Sequence, residues 1–120
     1  MIKNINASEC FEILKQNKNA KLIDVRTKAE WENDGYADLT LAKKELYFIS
    51  WSGYDDQFIN EIEKLNLNDG EILFFICRSG VRSIHAIKSL LNKFPSDSLF
   101  NVDGGMEQGW RLNKLPIKVC

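Results

Sequence analysis

The chain is predicted to fold as an α/β domain around a mostly parallel sheet, and three features of the sequence say so. Short apolar runs alternate with segments of helical periodicity from one end to the other, the pattern that successive βα units leave in a sequence. One run, Ile72-Leu73-Phe74-Phe75-Ile76, is apolar at every position, as suits a strand covered on both faces. Directly after it, Arg78-Ser79-Gly80-Val81-Arg82 is too polar and glycine-interrupted to continue a strand, and a helical pattern then resumes. Strand, short loop and helix therefore follow one another, with Cys77 at the first loop position.

At 120 residues the chain suits a single domain, residues 1–120, with one sizeable core. A formal net charge of −1 provides no whole-molecule field for nucleic acid or an anionic membrane surface. No apolar stretch approaches the roughly 18 residues that span a bilayer, and the opening Met-Ile-Lys-Asn-Ile-Asn lacks the apolar core of a signal peptide. Cys10, Cys77 and Cys120 are odd in number and widely spaced, which is neither a disulfide framework nor a Cys-x-x-Cys zinc or redox pair. A reducing cytoplasm is the expected setting.

The elements read as follows along the chain. Ile2 to Ile5 is a short first strand. Asn6, with Glu9 three residues on, resembles a capping box for a helix that carries Cys10, Phe11, Ile13 and Leu14 up to about Gln16; Cys10 is expected to be a small core residue. After a turn at Asn17 to Asn19, Lys21 to Val25 forms a second strand with Arg26 at its end. Thr27 and Glu30 make a clearer capping box for a short helix from about Lys28 to Asn33, with Gly35 as its stop. Asp24, Arg26 and Glu30 are expected to form charge pairs at these strand and helix ends. Tyr36 to Lys44 is irregular, and Leu46 to Trp51 is a third strand closed by Ser52-Gly53. Asp55 is expected to cap a helix that buries Phe58, Ile59, Ile62 and Leu65, followed by a turn at Asn66 to Gly70. After the Cys77 loop, a helix starts at about Ser83 with Ile84, Ile87, Leu90 and Leu91 on its apolar face and ends before Pro95. Ser98 to Val102 is the last strand. Asp103-Gly104-Gly105 turns into a short helix, Met106 to Leu112. Trp31 and Trp110 are expected in the core, and the terminal Cys120 on the surface.

The loop after Cys77 carries the chemistry. A loop that curls into a helix N-terminus aims several backbone N–H groups at one spot and adds the positive end of the helix dipole. A cysteine there favours its thiolate form. The chain has only four arginines among its 16 basic residues, and Arg78 and Arg82 both lie in this loop, where a planar oxyanion can be gripped by paired donors. In parallel α/β sheets the ligand end is the carboxyl end of the strands, and Cys77 is at such an end. His85, the one histidine, falls off the apolar face and is assigned a surface or supporting position rather than a catalytic one.

Three stretches in order resemble the rhodanese-like sulfurtransferases: Leu22-Ile23-Asp24-Val25-Arg26 with Glu30-Trp31; Ile76 to Ser83; and Asn101-Val102 with Gly104-Gly105 and Trp110, ending at Leu115-Pro116. The resemblance implies a central, mostly parallel sheet of about five strands flanked by helices on both faces. It also implies a transfer reaction with Cys77 as the catalytic nucleophile. The Cys77 thiolate would take the outer sulfur of a donor such as thiosulfate, become a persulfide, and yield that sulfur to cyanide, a thiol or a partner protein. Arg78, Ser79, Gly80, Val81, Arg82 and Ser83 would bind the anionic substrate, and no metal or organic cofactor is implied. Two departures stand out: Gly35-Tyr36 replaces a Gly-His pair common in relatives, and the stretch between Asp38 and Tyr54 lacks their Pro-Gly-Ala pattern.

Two other readings stay open at this level. One is a cysteine phosphatase or arsenate reductase, whose loop has five residues between Cys and Arg; here Arg82 comes one place early, making a narrower cradle. The other is a binding or regulatory module that has the fold without turnover.

Overall fold

The run Ile72–Ile76 forms the middle of a five-stranded sheet in the computed structural model, which describes residues 2–54, 56–67 and 70–119. In chain order the strands are β1 (Lys3–Ile5), β2 (Ala20–Asp24), β3 (Tyr36–Ala37), β4 (Leu46–Phe48), β5 (Ile72–Ile76), β6 (Leu99–Val102) and β7 (Ile117–Lys118). The main sheet runs β1-β6-β5-β2-β4, and every pairing in it is parallel. The helices are α1 (Ala7–Gln16), α2 (Lys28–Asp34), α3 (Asp56–Glu63), α4 (Arg82–Leu90) and α5 (Gly105–Arg111), the last wound as a π-helix. The predicted α/β class, strand number and parallel sheet are therefore all present.

Two cores, one on each face, follow from the period of two in a strand. Phe74 and Ile76 of β5 join Leu22, α1 and the α5 residues Met106 and Trp110 on one face. Leu73, Phe75 and Cys77 join Ile23, Val25, Phe58 and Ile62 of α3, and Ala86, Ile87 and Leu90 of α4 on the other. Trp110 is fully buried, meets Phe11 edge-on at 5.5 Å, and donates its indole N–H to Pro116 O at 2.7 Å. A large buried aromatic with its one polar atom paired is a strong packing anchor.

Several expectations need correction. The buried face of α4 is Ser83, Ala86, Ile87 and Leu90, while Leu91 lies beyond the helix and is 37% exposed. A pattern built on large apolar side chains passed over the small residues that let the first turn of α4 lie against β5 and β6. That helix starts at Arg82, one residue before Ser83. Strand β4 ends at Phe48, although Ile49 N and Trp51 N still donate to Asp24 O at 3.1 Å and Val25 O at 3.0 Å. The stretch read as irregular contains β3 and a 3₁₀ turn, Thr40–Ala42, and β3 pairs antiparallel with β7. Strands two residues long leave no periodicity to detect. Trp31 is only half-buried and packs on Phe48 at 4.7 Å, at the side of the sheet rather than in either core. Asp55, part of the turn at 66–70, and Cys120 lie outside the described residues.

Candidate active site

Because Cys77 follows β5 in register, its side chain continues the row of Leu73 and Phe75 towards α4. Its thiol is 1% exposed. The Gly80 N–H donates to Cys77 Sγ at 3.0 Å, and Ser83 Oγ lies 3.2 Å from the same sulfur. Gly80 has φ +96°, and a Cβ there would stand 3.2 Å from Gly104 N. Glycine thus allows both the left-handed turn that presents this amide and the close pass over the Gly104 backbone.

Two helix N-termini frame the sulfur. The amides of Met106 and Glu107 at the start of α5 bond the carbonyls of Cys77 and Arg78 at 2.8 and 3.0 Å, fixing the loop. At the other side α4 begins at Arg82, and Val81 before it provides no side-chain cap, so its first-turn amides are not claimed by a capping side chain. That arrangement suits a negative charge.

The loop arginines are each engaged by a carboxylate. Arg82 forks onto Glu30 of α2, with Nη1 and Nη2 donating to the two carboxylate oxygens at 2.7 and 3.1 Å. Arg78 is 61% exposed and donates from Nε to Glu107 at 2.7 Å. Of the residues nominated from the sequence, Gly80 and Ser83 reach the sulfur, Ser79 and Val81 stay at the surface, and the two arginines stand in ion pairs.

Glu30 is the hinge of that pairing. It completes the Thr27 capping box of α2 and is pulled from its ordinary value of 4.5 down to about 2, first by the Arg82 hydrogen bonds and then by Thr27. Arg82 is raised in return, chiefly by Glu30. A depressed acid stabilises the fold above its unfolded value and loses that contribution as pH falls through the folded one. Glu30→Gln is therefore expected to lower the melting temperature at neutral pH, with the gap to wild type closing between about pH 4.5 and pH 2. Thermal melts across that range check it; a gap independent of pH would exclude the ionised pair as its source.

Three other features bear on the site. Asp24 and Arg26, 0% and 1% exposed, form a buried pair at the end of β2: Arg26 Nε and Nη2 donate to the Asp24 carboxylate at 2.9–3.2 Å, and Nη2 also to Gly35 O at 2.8 Å. His85 stays apart from the sulfur, stacked on Trp51 at 5.8 Å with Nδ1 2.7 Å from the Tyr54 hydroxyl. Cys10 lies fully buried in the opposite core, where burial pushes its thiol far up, so it is not a competing nucleophile.

Sequence reasoning gave Asn101 no role beyond its place in a motif. Asn101 is 1% exposed at the carboxyl end of β6, accepts from Ser83 Oγ, and donates from Nδ2 to Asn4 Oδ1 at 2.8 Å. The available signal was a lone amide inside the apolar run Leu99-Phe100-Asn101-Val102. Among the described residues no group of three or more His, Cys, Asp or Glu side chains is placed to hold a metal ion, and no helix is long and apolar enough to cross a membrane.

The profile of the rhodanese-like domain matches residues 7–112. An uncharacterized protein of Rickettsia rickettsii is 34% identical, with 96% of each chain covered. Among solved structures, a crystal structure of an M. tuberculosis protein superposes with a TM-score of 0.82 at 28% identity, over 97% of this chain and 96% of that one. The solution structure of a polysulfide-sulfur transferase homodimer from Wolinella succinogenes has a TM-score of 0.77 at 22% identity, covering 99% of this chain and 80% of the other; at that identity the likeness is one of fold.

Proposed function

Since this chain belongs to the rhodanese-like domain family, we propose that it is a single-domain, cytoplasmic sulfurtransferase with Cys77 as its sulfur carrier. The observation that carries the reading is the Cys77 sulfur at the carboxyl end of the central strand, accepting the Gly80 amide and lying beside the uncapped start of α4. A thiolate is stabilised by such donors and needs no separate general base.

In the first half-reaction the Cys77 thiolate attacks the outer sulfur of thiosulfate. The S–S bond of the donor breaks with its electron pair leaving on sulfite, and Cys77 becomes a persulfide: Cys–S⁻ and S–SO₃²⁻ give Cys–S–S⁻ and SO₃²⁻. In the second, cyanide or a thiolate attacks the outer sulfur and Cys–S⁻ is restored. Negative charge stays beside the loop amides throughout, where preorganised N–H donors act most strongly. The thiol is enclosed at rest, so entry of the donor requires the loop to give at its exposed residues, Ser79 and Val81. Arg82 sits close enough to the sulfur for the two charges to interact and would share its guanidinium between Glu30 and the sulfonate of the donor. No cofactor is required by this chemistry.

The test uses the wild-type chain. After incubation with thiosulfate, intact mass should show one added sulfur atom, located on the Cys77 peptide, and cyanide should release it as thiocyanate. A chain that takes up no sulfur would instead be a binding module of this fold.

A further inference from the structure

We infer that Asn101, which does not touch the sulfur, biases Cys77 towards its sulfur-loaded state by competing for the Ser83 proton; this rests on the sulfur-transfer reading above. Ser83 and Asn101 are 0% and 1% exposed, so bulk solvent does not reach either group and each depends on partners within the fold. The Ser83 hydroxyl has one proton and two claimants. One is Asn101 Oδ1, to which it donates; the other is Cys77 Sγ, 3.2 Å away. Asn4 holds the Asn101 amide in the accepting orientation by taking its Nδ2 proton at 2.8 Å.

The two claimants differ in strength between the two states of the sulfur. A thiolate Sγ is charged and a strong acceptor, so it draws the Ser83 proton and strands Asn101 Oδ1. In the persulfide the charge has moved to the outer sulfur, Sγ is a weak thioether-like acceptor, and the proton returns to Asn101. Asn101 thus opposes the empty thiolate and not the loaded persulfide. It is a positioning residue acting through Ser83. Among the described residues, the charged groups near the sulfur are Arg82 of α4 with its partner Glu30 of α2 and Asp24 at the end of β2, with the Arg78–Glu107 pair on the same loop and His85 further along α4. None of them bonds Asn101, so a change there leaves them in place.

Asn101→Leu, which keeps the volume and cannot accept, is the test, alone and combined with Ser83→Ala. In a fixed mixture of thiosulfate and sulfite, the ratio of persulfide to free Cys77 by intact mass should fall about fivefold, the effect of one hydrogen bond. Iodoacetamide alkylation of Cys77 should reach half its plateau at a pH lower by a matching ~0.7 units, because Ser83 then serves the thiolate alone. On the Ser83→Ala background Asn101→Leu should move neither readout. Asn4→Ala, at an exposed position, should shift both in the same direction by less, and serves if Asn101→Leu does not fold. Unchanged ratio and pH profile, or shifts that persist without the Ser83 hydroxyl, overturn the inference. A wild type that takes up no sulfur defeats the sulfur-transfer reading and the loading bias with it, whereas the alkylation profile reads the Asn101–Ser83 coupling independently.

Discussion

Gly105→Ala is expected to destabilise the chain by about 3 kcal/mol or more, with the Cys77 loop displaced in whatever remains folded. Gly105 has φ +59°, and a Cβ there would lie 2.4 Å from Cys77 O and 2.6 Å from Arg78 O. Those carbonyls have little freedom to retreat, because each accepts an amide from the first turn of α5, Met106 and Glu107, at 2.8 and 3.0 Å. Relieving the clash means breaking the bonds that hold the cysteine loop. Gly70 is the control: it also has a positive φ, +86°, but a Cβ there meets nothing within 4 Å. Gly70→Ala should therefore cost only the conformational part, roughly 1 kcal/mol. Urea unfolding of both variants reads the difference. Equal losses would mean that the approach of α5 to the loop is not tight.

Removing the Asp24 carboxylate should cost a similar amount for a different reason. Asp24→Ala leaves the Arg26 guanidinium buried at 1% exposure with Gly35 O as its remaining acceptor. An uncompensated buried charge of this kind costs about 3–5 kcal/mol. Replacing both partners by apolar residues of similar volume, Asp24→Leu with Arg26→Met, should cost clearly less than Asp24→Ala alone, since no charge is then stranded. Denaturation midpoints for the single and double variants decide this; a double variant as damaged as the single one would show that the pair contributes directed hydrogen bonds rather than mutual neutralisation.

Much of the fold was legible because its signals are local. A run of five apolar residues, a capping box at Thr27 and Glu30, and a polar break after Cys77 each report on neighbours a few positions away. The same holds for the register of β5, which turns Cys77 towards α4 once Phe75 is known to face that way. The partners of the site were not legible. Arg82 meets Glu30 from 52 residues away, Arg78 meets Glu107 from 29 away, and Ser83 meets Asn101 from 18 away. Charge counting identified two arginines beside a thiol and did not identify the carboxylates that hold them. The antiparallel β3–β7 pair was hidden for the same reason, since Tyr36 and Ala37 find Lys118 and Ile117 only after the chain has closed on itself.

By itself, the sequence determined the order of the main sheet's five strands and the helices between them, the buried central strand, and the placing of one cysteine where that strand becomes a glycine-containing loop; periodicity and backbone preference act over one or two turns and are written into adjacent residues. The tertiary structure alone decided which amide and which hydroxyl reach the sulfur, that both loop arginines pair with carboxylates, and that a buried asparagine on another strand accepts from the Ser83 hydroxyl. Those choices depend on groups brought within about 3 Å by packing, and no spacing along the chain encodes them.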